Sequence, residues 1–533
     1  MLNNFTNVLH VLSCGFKIFT FTHADEVIIM RLKFPEQLSI GQIKIDDLDL
    51  EISSRDDIPA LLSGLRDIFL NIELRNKILD IIDKHIGVDK NNGRPGMSLW
   101  EIFVLGTLRL GLNADYDRIH IRAKKYVDVV SMLGHSMDLF EGYSLQAIKD
   151  NIRLFDDGLL NKINVELVKY GQSMLHGNSE YKIEARCDSF VVETDVHFPT
   201  DIGLLQDAME VVLRSVHAWC LLFGLTSSRQ YNHVFNKIKK LVRKAQNSKF
   251  RKDAKNGTDA AKNTRALEKA REAYSECINE CINCLIKQTQ ILRQPVAEQT
   301  PDIAGKAFKL FEEICKFGGY ALHQIDLIKR RVIQGEVIPH DEKIHSLFEE
   351  YTEWVSKGKA GVPVELGLRV CIVEDQDGFI LHSRVMVKET DDKVAIPVTK
   401  ELIKNFTSVD SISFDKGFHS KNNQEKLAEL VNNVVMPIKG KPSAERKEIE
   451  NSPDFQKKRR MHSSVESAIN ALEVHGLDRC LDHGLDGFKR YVGFAVVARN
   501  ILKIGTIVLR KERQKLKRNK KHRFLACPQK QAA

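Results

Sequence analysis

The chain has 533 residues, with 80 Lys and Arg against 71 Asp and Glu and a formal charge of +9. A hydrophobic share of 43% beside 28% charged residues is ordinary globular composition, which excludes a disordered or fibrous chain. The length predicts roughly three to four domain-sized units. No run of about twenty uncharged apolar residues occurs, so a membrane span is not expected. The ten cysteines are scattered, which suits a reducing cytoplasm.

Residues 1–29 hold a fairly apolar stretch, Val8 to Thr20, but no basic leader, so they do not read as a signal peptide. A more regular text begins at Met30, and 1–29 are expected to be a spurious extension. Ile40 to Leu50 reads as β-like, and Ile58 to His85 as helical. Asn91 to Gly96 is dense turn chemistry. Helices are then expected over an apolar run capped by Ser98, over Tyr116 to Val130, over Ser144 to Phe155 and over Leu159 to Leu175. Short helices joined by tight turns suit a helix-turn-helix DNA reader, and they suit a plain helical bundle equally.

At Tyr181 the period becomes strand-like and carries Asp188 among apolar neighbours, a costly place for an acid unless it is paired or metal-bound. Thr200 or Asp201 caps the next helix. Residues 225–357 read as a run of helices. Within them Arg229 to Lys252 holds nine Lys and Arg and no acid. Its Lys239, Lys240, Arg243 and Lys244 form either a solvated basic face or a phosphate-tracking surface. Cys277, Cys281 and Cys284 have the spacing of an iron–sulfur signature of radical enzymes. They also share one face of an expected helix, Ala260 to Ile291, as buried small hydrophobes would.

Strands return after Gly361-Val362-Pro363: Gly367 to Glu374, a turn, then Phe379 to Val387. A helix from Thr399 to Phe406, a strand ending in Asp415, a helix from Lys421 to Asn432 and a strand from Val434 to Ile438 follow. Next comes one helix capped by Ser452, with Pro453 in its first turn and Gly476 at its stop. Val465, Ile469 and Leu472 make its core face; Arg459, His462, Glu466, Asn470 and Glu473 make a polar one. Arg510 to Arg523, with nine bases and one acid, is expected to be a flexible, solvated tail.

Joined across the helical stretch, the order is strand, strand, strand, helix, strand, helix, strand, helix, the order of a ribonuclease-H-like fold. The expected architecture is therefore α+β or α/β: a catalytic domain in two parts (181–201 and 361–505), an all-helical insertion (202–360), a helical N-terminal DNA-binding region (30–180) and a basic tail (506–533). In such a fold Asp188, Asp415 and Glu466 meet at one end of the sheet. Three carboxylates suit Mg²⁺, a hard cation that takes carboxylate and phosphate oxygens.

The residues also carry a resemblance. Asp188-Ser-Phe-Val-Val-Glu-Thr-Asp195 through Asp201 resembles the first-acid block of bacterial insertion-sequence DDE transposases of the ISNCY group. Ser413-Phe-Asp415-Lys416-Gly-Phe-His419-Ser resembles the second block, and His462-Ser-Ser-Val-Glu466 through Asp478 the third. Gly93 to Met97 and Asn113 to Asp117 resemble that group's N-terminal domain. The resemblance implies a catalytic, metal-binding triad of Asp188, Asp415 and Glu466 with two Mg²⁺ (or Mn²⁺). It implies cleavage at element ends followed by transfer of the 3′-hydroxyl into target DNA. It also implies terminal inverted repeats and target DNA as partners, at least a homodimer, and a cytoplasmic, nucleoid-associated protein. Lys416, His419, Lys457, Lys458, Arg459, Arg460 and His462, beside the second and third acids, are the expected DNA contacts. Asp195 stands where relatives carry Asn and rivals Asp188, but period-2 counting puts it on the other face. A ribonuclease-H-like nuclease without strand transfer, and a non-catalytic DNA-binding descendant, are the alternatives.

Overall fold

The computed structural model describes residues 29–35, 38, 40–51, 53–54, 56–87, 94–177, 181–248, 258–294, 300–356 and 364–525. The expected extension up to residue 28 and the tail beyond 525 lie outside them. The chain forms two compact units: Val196–Thr352, and a second made of Asp25–Asp195 with Glu353–Ala533.

The larger unit begins with a short parallel pair, β1 (Ile29–Met30) beside β2 (Arg94–Pro95). The expected strand at 40–50 is absent: Ile45, Leu48 and Leu50 are buried, but this segment forms turns with no ladder. Its alternation records burial, not pairing. The helical stretch over 58–85 is two helices, α1 (Asp57–Leu70) and α2 (Ile72–Ile86). Asn71 divides them, because its extended backbone ends the first while its side chain caps Leu74 N–H of the second. α3 (Leu99–Gly111) opens with a capping box in which Ser98 and Glu101 satisfy each other's amides. The expected helix at 116–130 is likewise split, into α4 (Tyr116–Lys125) and α5 (Val127–Met132), by the extended Tyr126. α6 (Leu145–Ile152) and α7 (Asp157–His176) lead to β3 (Ile183–Thr194).

The smaller unit is helical: α8 (Asp201–Leu222), α9 (Tyr231–Asn247), α10 (Thr258–Leu292) and α11 (Pro301–Ile328). Met209, Val212, Val216 and Trp219 of α8 pack in one core with Ile238, Ile278, Phe311 and Ile325. Cys277, Cys281 and Cys284 are buried in that core, and burial pushes the Cys284 thiol up to about 11. They pack as small hydrophobes. Thr200 caps α8, and Asp201 forms a two-pronged ion pair with Arg331.

The chain re-enters the larger unit with β4 (Glu353–Ser356), a strand where helix was expected; the isolated Trp354-Val355 pair was too short a signal. β5 (Val364–Glu374), β6 (Ile380–Met386), α12 (Asp391–Asn405), β7 (Val409–Phe414), α13 (Lys421–Leu430) and β8 (Asn433–Val435) follow. α14 (Ala444–Asn451), α15 (Pro453–His462), α16 (Ser464–Leu472), β9 (Arg479–Cys480) and α17 (Leu485–Leu525) complete the unit. The mixed seven-stranded sheet runs β4-β5-β3-β7-β8, with β6 also on β5 and β9 also on β3. The β3/β5 and β5/β6 pairs are antiparallel; β3/β7 and β7/β8 are parallel.

α17 does not end in a loose tail at 506, because the helix continues through the basic stretch to Leu525. It packs on α1, α3 and α7, so the N-terminal helices and the sheet share one unit. Glycines allow that contact: a Cβ on Gly505 would lie 1.7 Å from Ala60 O, and one on Gly64 2.3 Å from Ile501 O. By length and apolarity Leu485–Arg518 is the one described segment able to cross a membrane, yet 78% of its most apolar window is buried inside the protein. Its apolarity belongs to the core.

Candidate active site

Strand register brings the first two acids together. Cys187 of β3 is the partner of Phe414 of β7 in a parallel ladder, so Asp188 and Asp415 occupy the next position on neighbouring strands. Such strands lie about 4.8 Å apart, and residues level with each other share a face. Asp415 keeps an extended backbone (φ −76°, ψ 167°) before the tight turn Lys416–Phe418, so it prolongs β7 by one residue. One step back on the same face, Arg186 is level with Ser413 on β7 and Glu374 on β5.

The third acid arrives on a broken helix. The single helix expected from 452 to 476 is α15, α16 and a wide turn, Glu473–Leu477, that contains Gly476 at φ +104°. The break falls at Ser463, whose hydroxyl donates to Arg460 O at 2.8 Å and so competes with the helical ladder. On one side of it His462 Nδ1 lies 2.9 Å from Ser413 Oγ; on the other, the Arg186 guanidinium donates to Ser464 Oγ. These contacts set the α15–α16 junction on the face that carries Asp188 and Asp415. Glu466 follows in the first turn of α16, exposed.

The charges report the same proximity. Asp188 is pushed up to about 6, first by burial, then by the carboxylates of Asp415, Asp391 and Glu466; the Ser189 amide, donating to Asp188 Oδ1 at 2.7 Å, opposes this. Burial lowers His462, with Asp415 and Glu466 acting the other way.

Asp391 is a fourth acid, its charge acting on Asp188, that sequence reading missed: the helix expected from Thr399 begins eight residues earlier, at Asp391. Its Oδ1 accepts from Ser189 Oγ at 2.7 Å. A Cβ at Gly417, two residues past Asp415, would sit 2.8 Å from Asp391 Oδ2. Arg186 and Ser464 were missed as well; nothing local marks them, since their roles depend on strand register and on the helix break.

The other candidates fall as follows. Lys416, Lys457, Arg459 and Arg460 are exposed near the second and third acids, while Lys458 pairs with Asp454 at 3.1 Å. His419 is half-buried, 3.4 Å from Gln424. His462, expected to meet DNA, is held against the sheet instead. Lys239, Lys240, Arg243 and Lys244 belong to the smaller unit, where Lys244 pairs with Glu276 of α10 at 2.6 Å and Lys239 covers the Phe235 ring. The acids missing from that basic stretch are thus supplied in part by α10. Asp195 lies at the exit of β3, 3.6 Å from Arg479. Seven residues of strand, about 23 Å, separate it from Asp188. Glu473 lines a separate cleft of about 500 Å³ with Glu193, Asp478 and Arg479.

The donor set suits a hard divalent cation. Asp188, Asp415 and Glu466 offer carboxylate oxygens, and such an ion offsets both the burial that chiefly lifts Asp188 and the neighbouring negative charge that adds to it. As the side chains lie, no three His, Cys, Asp or Glu among the described residues already enclose an ion position.

The chain matches no family model, and comparison with curated proteins and with solved structures likewise finds no match.

Proposed function

We propose that the larger unit is a ribonuclease-H-like catalytic domain and that the protein is a DDE transposase of the ISNCY-like group. The strand order β6-β5-β3-β7-β8, with helices following β6, β7 and β8, supports the fold reading. The single observation that carries the functional reading is the register of Asp188 beside Asp415, with the Glu466 helix laid over the same face.

In this reading Asp188, Asp415 and Glu466 hold two Mg²⁺ (or Mn²⁺). When bound, such ions activate the attacking oxygen and stabilise the leaving one in an in-line displacement. Lys416, Lys457, Arg459 and Arg460 line the approach and bind backbone phosphates. Water opens a phosphodiester at each element end, and the freed 3′-hydroxyl then attacks target DNA. Two ends require at least two protomers, and the protein works in the cytoplasm on nucleoid DNA. A short duplex ending in the element's terminal repeat tests this: wild-type protein with Mg²⁺ nicks it, while Glu466→Gln binds it without nicking. Undiminished nicking by that variant sinks the reading. Nicking without joined products on added target DNA leaves a nuclease.

A further inference from the structure

The polypeptide around Glu466 is gripped at its weakest point. α15 has 10 residues and α16 only 9, and helices this short are marginal without outside support. Between them Ser463 breaks the ladder, and its two neighbours, His462 and Ser464, both bond to the sheet. In a continuous helix, residues two apart point about 200° away from each other and cannot meet one surface. Here Ser463 keeps a helical backbone (φ −59°, ψ −16°) with tightened bonding, and the long Arg186 side chain comes up to Ser464 while His462 meets Ser413.

Their partners are prearranged. Ser413 and Arg186 are level on β7 and β3, and Glu374 on β5 completes the row, its carboxylate 3.8 Å from the Arg186 guanidinium. Arg186 and Glu374 are both buried. Two residues further along the same strands, about 6.7 Å on, lie Asp188 and Asp415 on the same face. Glu466 lies two residues beyond Ser464 on α16, about 200° round the helix from it and exposed, so the two flank the buried Val465, and the Glu466 charge acts on both Asp188 and His462. The apolar contacts of Val465, Ala468 and Leu472 bury α16 but are non-directional; the two hydrogen bonds define where along the sheet it sits.

We propose that Arg186, Ser413, His462 and Ser464 form a positioning clamp that sets the register of Glu466 against Asp188 and Asp415; the catalytic part of this rests on the DDE reading above. None of the four need touch DNA or metal, so loss of the clamp weakens metal use and turnover rather than DNA binding.

The test uses full-length protein with Ser464→Ala, Arg186→Gln and Arg186→Lys. Amide hydrogen exchange over 460–472 reads the clamp without requiring activity. Exchange there is expected to rise about tenfold in Ser464→Ala and Arg186→Gln, the loss of one hydrogen bond to a charged group, with β3 and β7 unchanged. On the end duplex, the Mg²⁺ concentration for half-maximal nicking rises and kcat falls about tenfold, DNA affinity stays put, and Arg186→Lys recovers part of both. Wild-type exchange over 460–472 in Ser464→Ala, or an unchanged Mg²⁺ midpoint there, overturns the proposal. Failure of the DDE reading shows separately, as nicking that Glu466→Gln leaves intact.

Discussion

Asp188 and Asp415 stand level on adjacent parallel strands although 227 positions separate them in the chain, and the helical unit 196–352 falls between them. One strand pairing, Cys187 with Phe414, is enough to bring them together. A one-residue slip of β7 would turn Asp415 to the opposite face, so the pairing determines the acid's position as well as the sheet's.

The first prediction concerns the acids. Asp188→Asn, Asp415→Asn and Glu466→Gln are each expected to lower Mg²⁺-dependent nicking by on the order of a hundredfold or more, with end binding retained. EDTA should abolish nicking, and Mn²⁺ should restore it. Asp195→Asn, held by Arg479 at the far end of β3, should stay within a few-fold of wild type. Gel assays of nicking and of binding measure both.

Asp391 should matter next. Asp391→Ala frees the Ser189 hydroxyl and removes one carboxylate whose charge acts on Asp188, while Gly417→Ala pushes a methyl to 2.8 Å from Asp391 Oδ2. Both changes should reduce nicking by about tenfold with little loss of melting temperature, Gly417→Ala acting through displacement rather than loss. Equal nicking in wild type and both variants would leave Asp391 as a plain helix-start acid.

Crowding between α1 and α17 gives a stability prediction. Gly505→Ala places a methyl 1.7 Å from Ala60 O, which no rotamer can relieve, and should cost about 3 kcal/mol or more. Thermal and urea unfolding should show the loss. Gly87→Ala, where nothing lies within 4 Å, isolates the cost of a positive φ alone.

Acid sensitivity should centre partly on His382. Burial drives it down to about 4, and its Nδ1 is enclosed with no hydrogen-bond partner among the described residues. With the folded value below the unfolded one, the unfolded chain binds the extra proton between about pH 6.5 and pH 4. Stability is thus full above pH 6.5 and declines by up to ~3 kcal/mol as pH falls through that window. His382→Leu should flatten the pH profile of the melting temperature there.

Much of this was legible in the chain, and what was not has a physical reason. β3, β5, β6 and β7 are foreshadowed by apolar runs with turn residues at their ends, whereas α12 begins at Asp391, eight residues before the expected Thr399. The splits at Asn71, Tyr126 and Ser463 were invisible, because the hydrophobic period continues across each while one residue's backbone or side chain takes the ladder's hydrogen bond. The tail was misread because its charge hid a helix that α1, α3 and α7 anchor upstream. Arg186 and Asp391 could not be found by spacing, since each acts through a neighbour that only folding supplies.

The close seating of α17 on α1 also sets a timetable for synthesis. Residues 57–70 wait for a helix that begins at 485, and β3 waits for β5 while 169 residues, 195–363, are made. At ribosomal rates of 5–20 residues per second, that strand spends roughly ten to thirty seconds with both edges unpaired. The described residues of the helical unit all fall within 196–352 and are complete within this interval. The larger unit is not, and a chain cut short before α17 has every described strand of the sheet but lacks the cover for α1. A covered α1 therefore belongs only to a chain read through α17.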